Sequence, residues 1–197
     1  MTRVRKRRQR RSIRLPGHDY SGPGIYFVTL CVDQGVCLFG DIFEDRMVLS
    51  EFGNIADEEW RASEELRSEV ELDEYVVMPN HLHGLVVFRP DDSGSGRPPS
   101  SAATALENRP KRSLGSLIAG YKTSVTTRIN RLQESPGERV WQRNYWEHIV
   151  RTDQALDAIR SYIRDNPARW SLDRYHPNPS GVDPQAREVW RLLRESK

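Results

Sequence analysis

The sequence lacks several features that would assign it to common classes of protein. No apolar run reaches the ~18 residues that a membrane-spanning helix needs, so no membrane partner is expected. The basic N-terminus has no apolar segment after it, which argues against a secretory signal peptide. Only two of the 197 residues are cysteines, too few for a disulfide framework or a cysteine-based zinc site. These absences predict a reduced, cytoplasmic protein.

Positive charge is concentrated at one end of the chain. Eight of the 30 Lys and Arg residues lie in residues 1–14, which contain no acid, so the remaining 22 are matched against 28 acidic residues. A basic arm on a mildly acidic body favours a nucleic-acid partner, with a solvated tail as the alternative. Such an arm would add salt-dependent affinity without reading sequence. The residues expected to contact nucleic acid are Arg3, Arg5, Lys6, Arg7, Arg8, Arg10, Arg11 and Arg14.

Composition divides the chain into three parts. Residues 1–16 form the basic N-terminal arm, residues 17–170 the main domain, and residues 171–197 a tail that ends in a short helix. Within the main domain, residues 89–112 contain almost no large apolar side chains and many Ser, Gly and Pro. This composition predicts a mobile insertion.

The apolar patterns of the main domain predict an α+β fold. Residues 25–32 read as a central strand, 37–49 as a small hairpin, and 50–66 as a helix capped by Ser50. Two strands follow on either side of Pro79-Asn80, then a helix over 113–132, a strand ending near 150 and a helix over 154–166. The order strand, helix, two strands, helix, strand is that of a ferredoxin-like β-α-β-β-α-β sandwich with an antiparallel sheet. The helix after the last strand would then lie across the sheet.

Two histidines open the second of the paired strands, within residues 75–88 (Y-V-V-M-P-N-H-L-H-G-L-V-V-F). Because strand side chains alternate, His81 and His83 should point to one face and Leu82 to the other. Two neutral imidazoles on one strand can bind one metal ion. A lone His-x-His is weak evidence, and two half-exposed structural histidines are the alternative.

A second group of polar residues lies on the helix over 154–166. Tyr162 and Asn166 are four residues apart and therefore share one face of this helix. The amide oxygen of Asn166 is a suitable ligand for a hard cation, so it could complete a three-ligand set with the two histidines. Tyr162 would then lie one helical turn from the metal as a nucleophile.

Three separated motifs resemble those of the single-tyrosine HUH transposases, and in particular the REP-associated tyrosine transposase branch. They are residues 75–84 (Y-V-V-M-P-N-H-L-H-G), 141–148 (W-Q-R-N-Y-W-E-H) and 162–167 (Y-I-R-D-N-P). The resemblance extends from about Arg10 to Trp170 and includes R-S-I-R-L at 11–15 and C-L-F-G at 37–40. Three motifs in the same order are far more specific than His-x-His alone.

The resemblance implies a ferredoxin-like catalytic domain that processes DNA. It implies that His81, His83 and Asn166 hold a divalent metal, Mg²⁺ or Mn²⁺. Tyr162 would attack single-stranded or hairpin DNA, forming a 5′-phosphotyrosine link and releasing a 3′-hydroxyl. His148 is a further candidate for the neighbourhood of the site. The oligomeric state stays open, because the tyrosine helix could complete its own site or that of a homodimer partner.

Other interpretations are weighed against this one. Tyr121 also lies on a predicted helix, but its neighbour one turn on is Val125, so we interpret it as a core residue. A two-histidine phosphoesterase needs a second histidine motif that the chain does not contain. A rolling-circle initiator would usually place a second tyrosine where Asn166 stands. A domesticated, non-catalytic DNA-binding protein of the same fold is the main alternative.

Overall fold

The computed structural model of the protein describes residues 23–89 and 113–195. The predicted arm and nearly all of the predicted insertion therefore lie outside the described residues, as do the eight basic residues expected to contact nucleic acid. The domain limits at residues 16 and 170 stay predictions. Within the described part, no helix is both long enough and apolar enough to cross a membrane.

Six strands and four α-helices make up the described chain. In chain order they are β1 (Gly24–Cys31), β2 (Gly40–Phe43), β3 (Arg46–Leu49), α1 (Glu51–Glu65), β4 (Val70–Met78), β5 (His81–Phe88), α2 (Leu114–Leu132), β6 (Trp146–Val150), α3 (Asp153–Asp165) and α4 (Pro184–Glu195). A 3-10 helix over Pro167–Leu172 follows α3 directly.

The helix starts follow from capping residues that the sequence displays. Ser50, Ser113 and Thr152 cap α1, α2 and α3, and each side-chain oxygen accepts a hydrogen bond from the amide three residues on. Pro167 comes directly after the residue that ends α3. Because Pro167 lacks an N–H, it cannot continue the hydrogen bonding of the α-helix, and α3 gives way to the 3-10 helix there although Asn166 keeps helical backbone angles.

The main sheet has the strand order β4-β5-β1-β6, and every pair in it is antiparallel. β2 and β3 form a separate hairpin. The strands β1, β4, β5 and β6, with α1 and α2 between them, give the predicted ferredoxin-like sandwich, which is thus confirmed. The predicted helix beyond the sandwich is α3, which packs with α4.

The segment from residue 141 to residue 150 is a loop that enters a short edge strand. Trp141 forms an isolated bridge with Val32, and regular pairing begins only at Trp146. The Lys122 amine donates to the carbonyls of Gln142 and Asn144, at 2.9 and 3.1 Å. These carbonyls are bound by a side chain instead of a neighbouring strand, so the segment stays irregular.

Alternation along β1 gives the sheet two apolar faces. Tyr26, Val28 and Leu30 face α1 and α2, together with the fully buried Trp60. Phe27 faces the other way, into a second cluster with residues of α3 and α4. The two histidines of β5 lie on this second face, so the face covered by α3 and α4 carries the candidate site.

Candidate active site

The histidine pair lies at the start of β5, directly after the turn at Pro79-Asn80. In the sheet register, Cys31 and Thr29 of β1 stand opposite His81 and His83. The two imidazole rings lie 4.5 Å apart, and both side chains are buried. Because side chains alternate between the two faces along β5, both rings lie next to each other beneath α3.

Hydrogen bonds hold the inner nitrogen of each imidazole. The Asn80 amide nitrogen donates to the carbonyls of Gly35 and Tyr175, which leaves its Oδ1 to bond Nδ1 of His81 at 2.9 Å. An amide oxygen only accepts, so Nδ1 of His81 carries the proton and Nε2 presents a lone pair. Nδ1 of His83 bonds Oγ1 of Thr29 at 2.8 Å. Such contacts orient metal-binding histidines in proteins.

Burial keeps both histidines in the neutral form that binds metal ions. It lowers the pKa of His81 to about 3, and it also lowers the pKa of His83, with a smaller contribution from His81 beside it. Nε2 of His81 is buried and makes no hydrogen bond within the described chain. A buried lone pair without a donor marks a place for a cation or a proton.

Asp173 adds a carboxylate to the pair, and the sequence patterns do not indicate this residue. It follows the 3-10 helix, and its Oδ2 lies 3.9 Å from Nε2 of His81. One ligand atom from each of His81, His83 and Asp173 lies within 4.8 Å of the others. The residue is 2% exposed, and a buried carboxylate is normally paired or bound to a metal.

Asn166 and the backbone fix the position of this carboxylate. The Asn166 amide nitrogen donates to Oδ2 of Asp173 at 3.2 Å, and the amide of Tyr175 donates to Oδ1 at 2.6 Å. The amide oxygen of Asn166 is buried and makes no hydrogen bond within the described residues. Asn166 therefore lies beside the donor set with an oxygen to offer, and direct binding of a metal by that oxygen stays a prediction.

Tyr162 extends from α3 into the same group. Its hydroxyl lies 3.1 Å from Nε2 of His83, and the side chain is 2% exposed. Burial raises the pKa of Tyr162 well above its usual range, and the charge of Asp173 acts in the same direction. The hydroxyl is thus held as a neutral phenol against a nitrogen of the candidate metal site.

Aromatic rings close the site in this structure. The Tyr175 ring lies with its centroid 4.7 Å from that of His81, and the Trp170 ring is 6.0 Å from the same imidazole. Both belong to the segment that follows α3.

His148 is placed on β6, with β1 between it and the histidine strand. Its ring stacks on that of Trp146 at 5.8 Å. It does not belong to the three-residue group of possible metal ligands found among the described residues. Its suggested role beside the site stays a prediction.

The donor set can be compared with what a divalent metal requires. Two neutral imidazoles and one carboxylate provide two nitrogen ligands and one oxygen ligand, with the Asn166 oxygen alongside. Carboxylates and amide oxygens suit Mg²⁺ and Mn²⁺, and imidazoles suit first-row transition metals. The residues present therefore fit a divalent ion.

Comparison with solved structures relates this fold to that of a known protein. The chain is similar to a REP-associated tyrosine transposase bound to a REP hairpin, with a TM-score of 0.54 and 16% identity. The match covers 78% of this chain and 72% of that chain. The protein thus has the fold of a REP-associated tyrosine transposase, the branch that its motifs resemble.

A closer relative in sequence is an uncharacterized protein of Haemophilus influenzae. The two are 36% identical over 169 residues, which is 85% of this chain and 93% of the relative. The chain belongs to the same family as this protein. No model of a known protein family matches the chain.

Proposed function

We propose that the protein is a metal-dependent transposase that cleaves and rejoins single-stranded DNA through Tyr162. The observation that carries this proposal is the contact between the Tyr162 hydroxyl and Nε2 of His83, inside a buried group of metal-binding side chains. A nucleophile beside a divalent-ion site is the arrangement that phosphoryl transfer needs.

The bound ion, Mg²⁺ or Mn²⁺, would act as a Lewis acid that polarises the scissile phosphate. His81, His83 and Asp173 are the residues that would hold it, and the Asn166 oxygen is a further ligand candidate. Asn80 and Thr29 would keep the imidazoles oriented through their inner nitrogens.

The covalent step conserves bonds and charge. Oη of Tyr162 forms a bond to the phosphorus as the bond from phosphorus to the 3′-oxygen breaks. The phenol loses its proton, and the departing 3′-oxygen takes one up as a hydroxyl. The product is a 5′-phosphotyrosine, which keeps one phosphodiester-type bond for each one broken, so the same site can rejoin strands.

Nε2 of His83 would serve two purposes. In this structure this nitrogen shares a hydrogen bond with the Tyr162 hydroxyl, and the same nitrogen would bind the ion. Metal binding at Nε2 and the hydrogen bond to the hydroxyl therefore exclude each other. The phenol is free to turn toward a phosphate only when Nε2 no longer shares this hydrogen bond.

The partner we infer is single-stranded or hairpin DNA, and the solved relative is bound to a REP hairpin. The basic arm over residues 1–14 would add affinity through phosphate contacts. Removing residues 1–12 should weaken binding to all single strands alike and flatten the dependence on salt, measured by fluorescence anisotropy. A change in cleavage position would instead mean that the arm reads bases.

A direct experiment is to incubate the full chain with labelled hairpin single strands and Mn²⁺, and to resolve the products on a denaturing gel. We expect a covalent protein–DNA adduct that disappears with a chelator and in the His83→Ala variant, while DNA binding persists. Binding without any adduct, in the presence of Mn²⁺, would favour the non-catalytic DNA-binding alternative.

A further inference from the structure

A recessed surface lies at the same end of the sheet as the active site. It is bordered by the second half of α2 and by the loop that leads to β6, and it contains two adjoining cavities of about 340 and 550 Å³. The larger cavity is lined by Arg131 and by the acids Glu134 and Glu138, so basic side chains predominate only in the smaller one. Basic and hydroxyl side chains line the smaller cavity: Lys122, Thr123, Thr126, Thr127, Arg139 and Arg143. We call this surface the α2 groove.

Two arginines of the α2 groove differ from Arg61 and Arg128 in their partners. Arg139 and Arg143 are exposed and make no ion pair with any residue that the structure describes. Arg128, on another side of α2, bonds both Glu58 and Glu59 of α1, at 2.7 and 2.8 Å. Arg61 pairs with Asp57. Neighbouring carboxylates thus neutralise Arg61 and Arg128, whereas none pairs with Arg139 or Arg143 among the described residues.

Backbone hydrogen bonds connect the groove to the end of β1. The amide of Gln142 donates to the carbonyl of Cys31 at 2.9 Å, and Trp141 bridges Val32. On its other side, Cys31 stands opposite His81. Since neighbouring strands lie about 4.8 Å apart, the groove wall is roughly 10 Å from the histidine strand.

Positive charge continues from the groove to the cover of the active site. The Lys122 amine donates to the carbonyl of Gln142, whose amide donates to Cys31, and burial lowers the pKa of this amine to about 8. Arg174 directly follows Asp173 in the segment over the site. Arg174 is exposed and lies over the Tyr175 ring at 5.3 Å.

We propose that the α2 groove binds the phosphate backbone of the single DNA strand that enters the active site. Arginine, lysine and threonine side chains are the usual donors to phosphate oxygens. Arg139 and Arg143 would bind phosphates, and Arg174 would continue the path toward Tyr162. This inference rests on the proposed function, because the strand is the substrate of that site.

The experiment compares two double variants that remove the same charge. Arg139→Gln/Arg143→Gln alters the groove, and Arg61→Gln/Arg128→Gln alters arginines that the fold already neutralises. Binding of a labelled single strand with a hairpin is measured by fluorescence anisotropy over a salt series. Circular dichroism verifies that each variant is folded.

We expect the groove variant to bind roughly ten- to thirtyfold more weakly at 0.1 M salt, with a salt slope lower by about 1.4, as for two lost single-strand contacts. The control variant should bind within about twofold of the wild type. At saturating DNA, the groove variant should still form the adduct. Equal losses in both variants, or no loss in the groove variant, would overturn the proposal.

The two proposals fail in different ways. If the wild type forms no adduct, the proposed chemistry is wrong, but the anisotropy comparison still decides whether the groove binds DNA. If the adduct forms and the groove variant binds normally, the chemistry stands and the strand takes another path.

Discussion

Two tyrosines on opposite faces of one sheet have almost equal burial and different surroundings. Tyr121 is 3% exposed and Tyr162 is 2% exposed, and each lies on a helix that covers the sheet. The Tyr121 hydroxyl donates to the carbonyl of Ala56 at 3.1 Å, and its ring packs against that of Trp60. The Tyr162 hydroxyl faces an imidazole nitrogen. Burial and helix membership therefore do not distinguish the two tyrosines, whereas the partner of the hydroxyl favours Tyr162 as the proposed nucleophile.

The same contrast extends to the rest of the two faces. The face under α1 and α2 buries mainly apolar side chains around Trp60. The face under α3 buries a group of polar residues that hydrogen bonds and close contacts connect to one another around His83, the partner of Tyr162: Thr29, Asn80, His81, His83, Asn166 and Asp173. Burying polar groups costs free energy unless they are hydrogen-bonded, so a concentration of them is typical of a functional site.

The largest expected effect comes from Tyr162→Phe. This variant should form no covalent adduct, because the attacking oxygen is gone, and it should remain folded. It should bind Mn²⁺ at least as tightly as the wild type, since Nε2 of His83 no longer shares a hydrogen bond with a hydroxyl. Denaturing gels and calorimetric titration with Mn²⁺ measure the two effects. An adduct peptide containing Tyr121 would overturn the assignment.

The second-largest effect is expected from substitution of the two candidate oxygen ligands, Asp173 and Asn166. Asp173→Asn should weaken Mn²⁺ binding by at least about tenfold, because a charged ligand becomes neutral. Asn166→Ala should cost less, since Asp173 remains although it loses the hydrogen bond that positions it. Calorimetric titration compares the two variants. A greater loss in Asn166→Ala would show that the amide is the main oxygen ligand.

Substitution of Gly84 tests how the close contact between β5 and the buried Trp60 supports the strand that carries the two histidines. A Cβ at this position would lie 2.7 Å from Cζ2 of the buried Trp60. Gly84→Ala should therefore destabilise the fold by about 1–3 kcal/mol, measured by urea unfolding. Gly120→Ala is a matched control, because its Cβ would meet only Arg67, at 4.0 Å, and alanine favours a helix. Equal stability of the two variants would contradict the close contact at Trp60.

The smallest effect is expected from Tyr121→Phe. The ring stays in the core and one hydrogen bond to Ala56 is lost, so the free energy of unfolding should fall by only about 0.5–1.5 kcal/mol. Adduct formation should be unchanged. Urea unfolding and the DNA gel test both statements, and loss of the adduct without unfolding would show that Tyr121 acts in the chemistry.

Much of this arrangement could be predicted from local patterns. The caps Ser50, Ser113 and Thr152 predict where helices begin, and alternation in β5 predicts that both histidines share a face. The spacing of Tyr162 and Asn166 predicts that they lie together on α3. All of these depend on short-range geometry, which repeats every two residues in a strand and every 3.6 in a helix.

Asp173 and the α2 groove could not be found in this way. Asp173 follows a 3-10 helix in a segment without apolar periodicity, and its approach to His81 depends on the path of the chain after Pro167. The groove joins residues of α2 to a loop some 20 residues later. The periodicity of a helix or a strand does not indicate which of such distant residues come into contact.

The sequence by itself determined the elements of this protein, the faces on which His81, His83 and Tyr162 stand, and the family that its motifs resemble. Only the tertiary structure decided that Asp173 joins the histidines, that Tyr175 covers them, and that unpaired arginines lie around the end of β1. The physical reason is that backbone and side-chain preferences act over a few residues. Contacts such as that between Tyr162 and His83, 79 residues apart, exist only after the helices pack on the sheet.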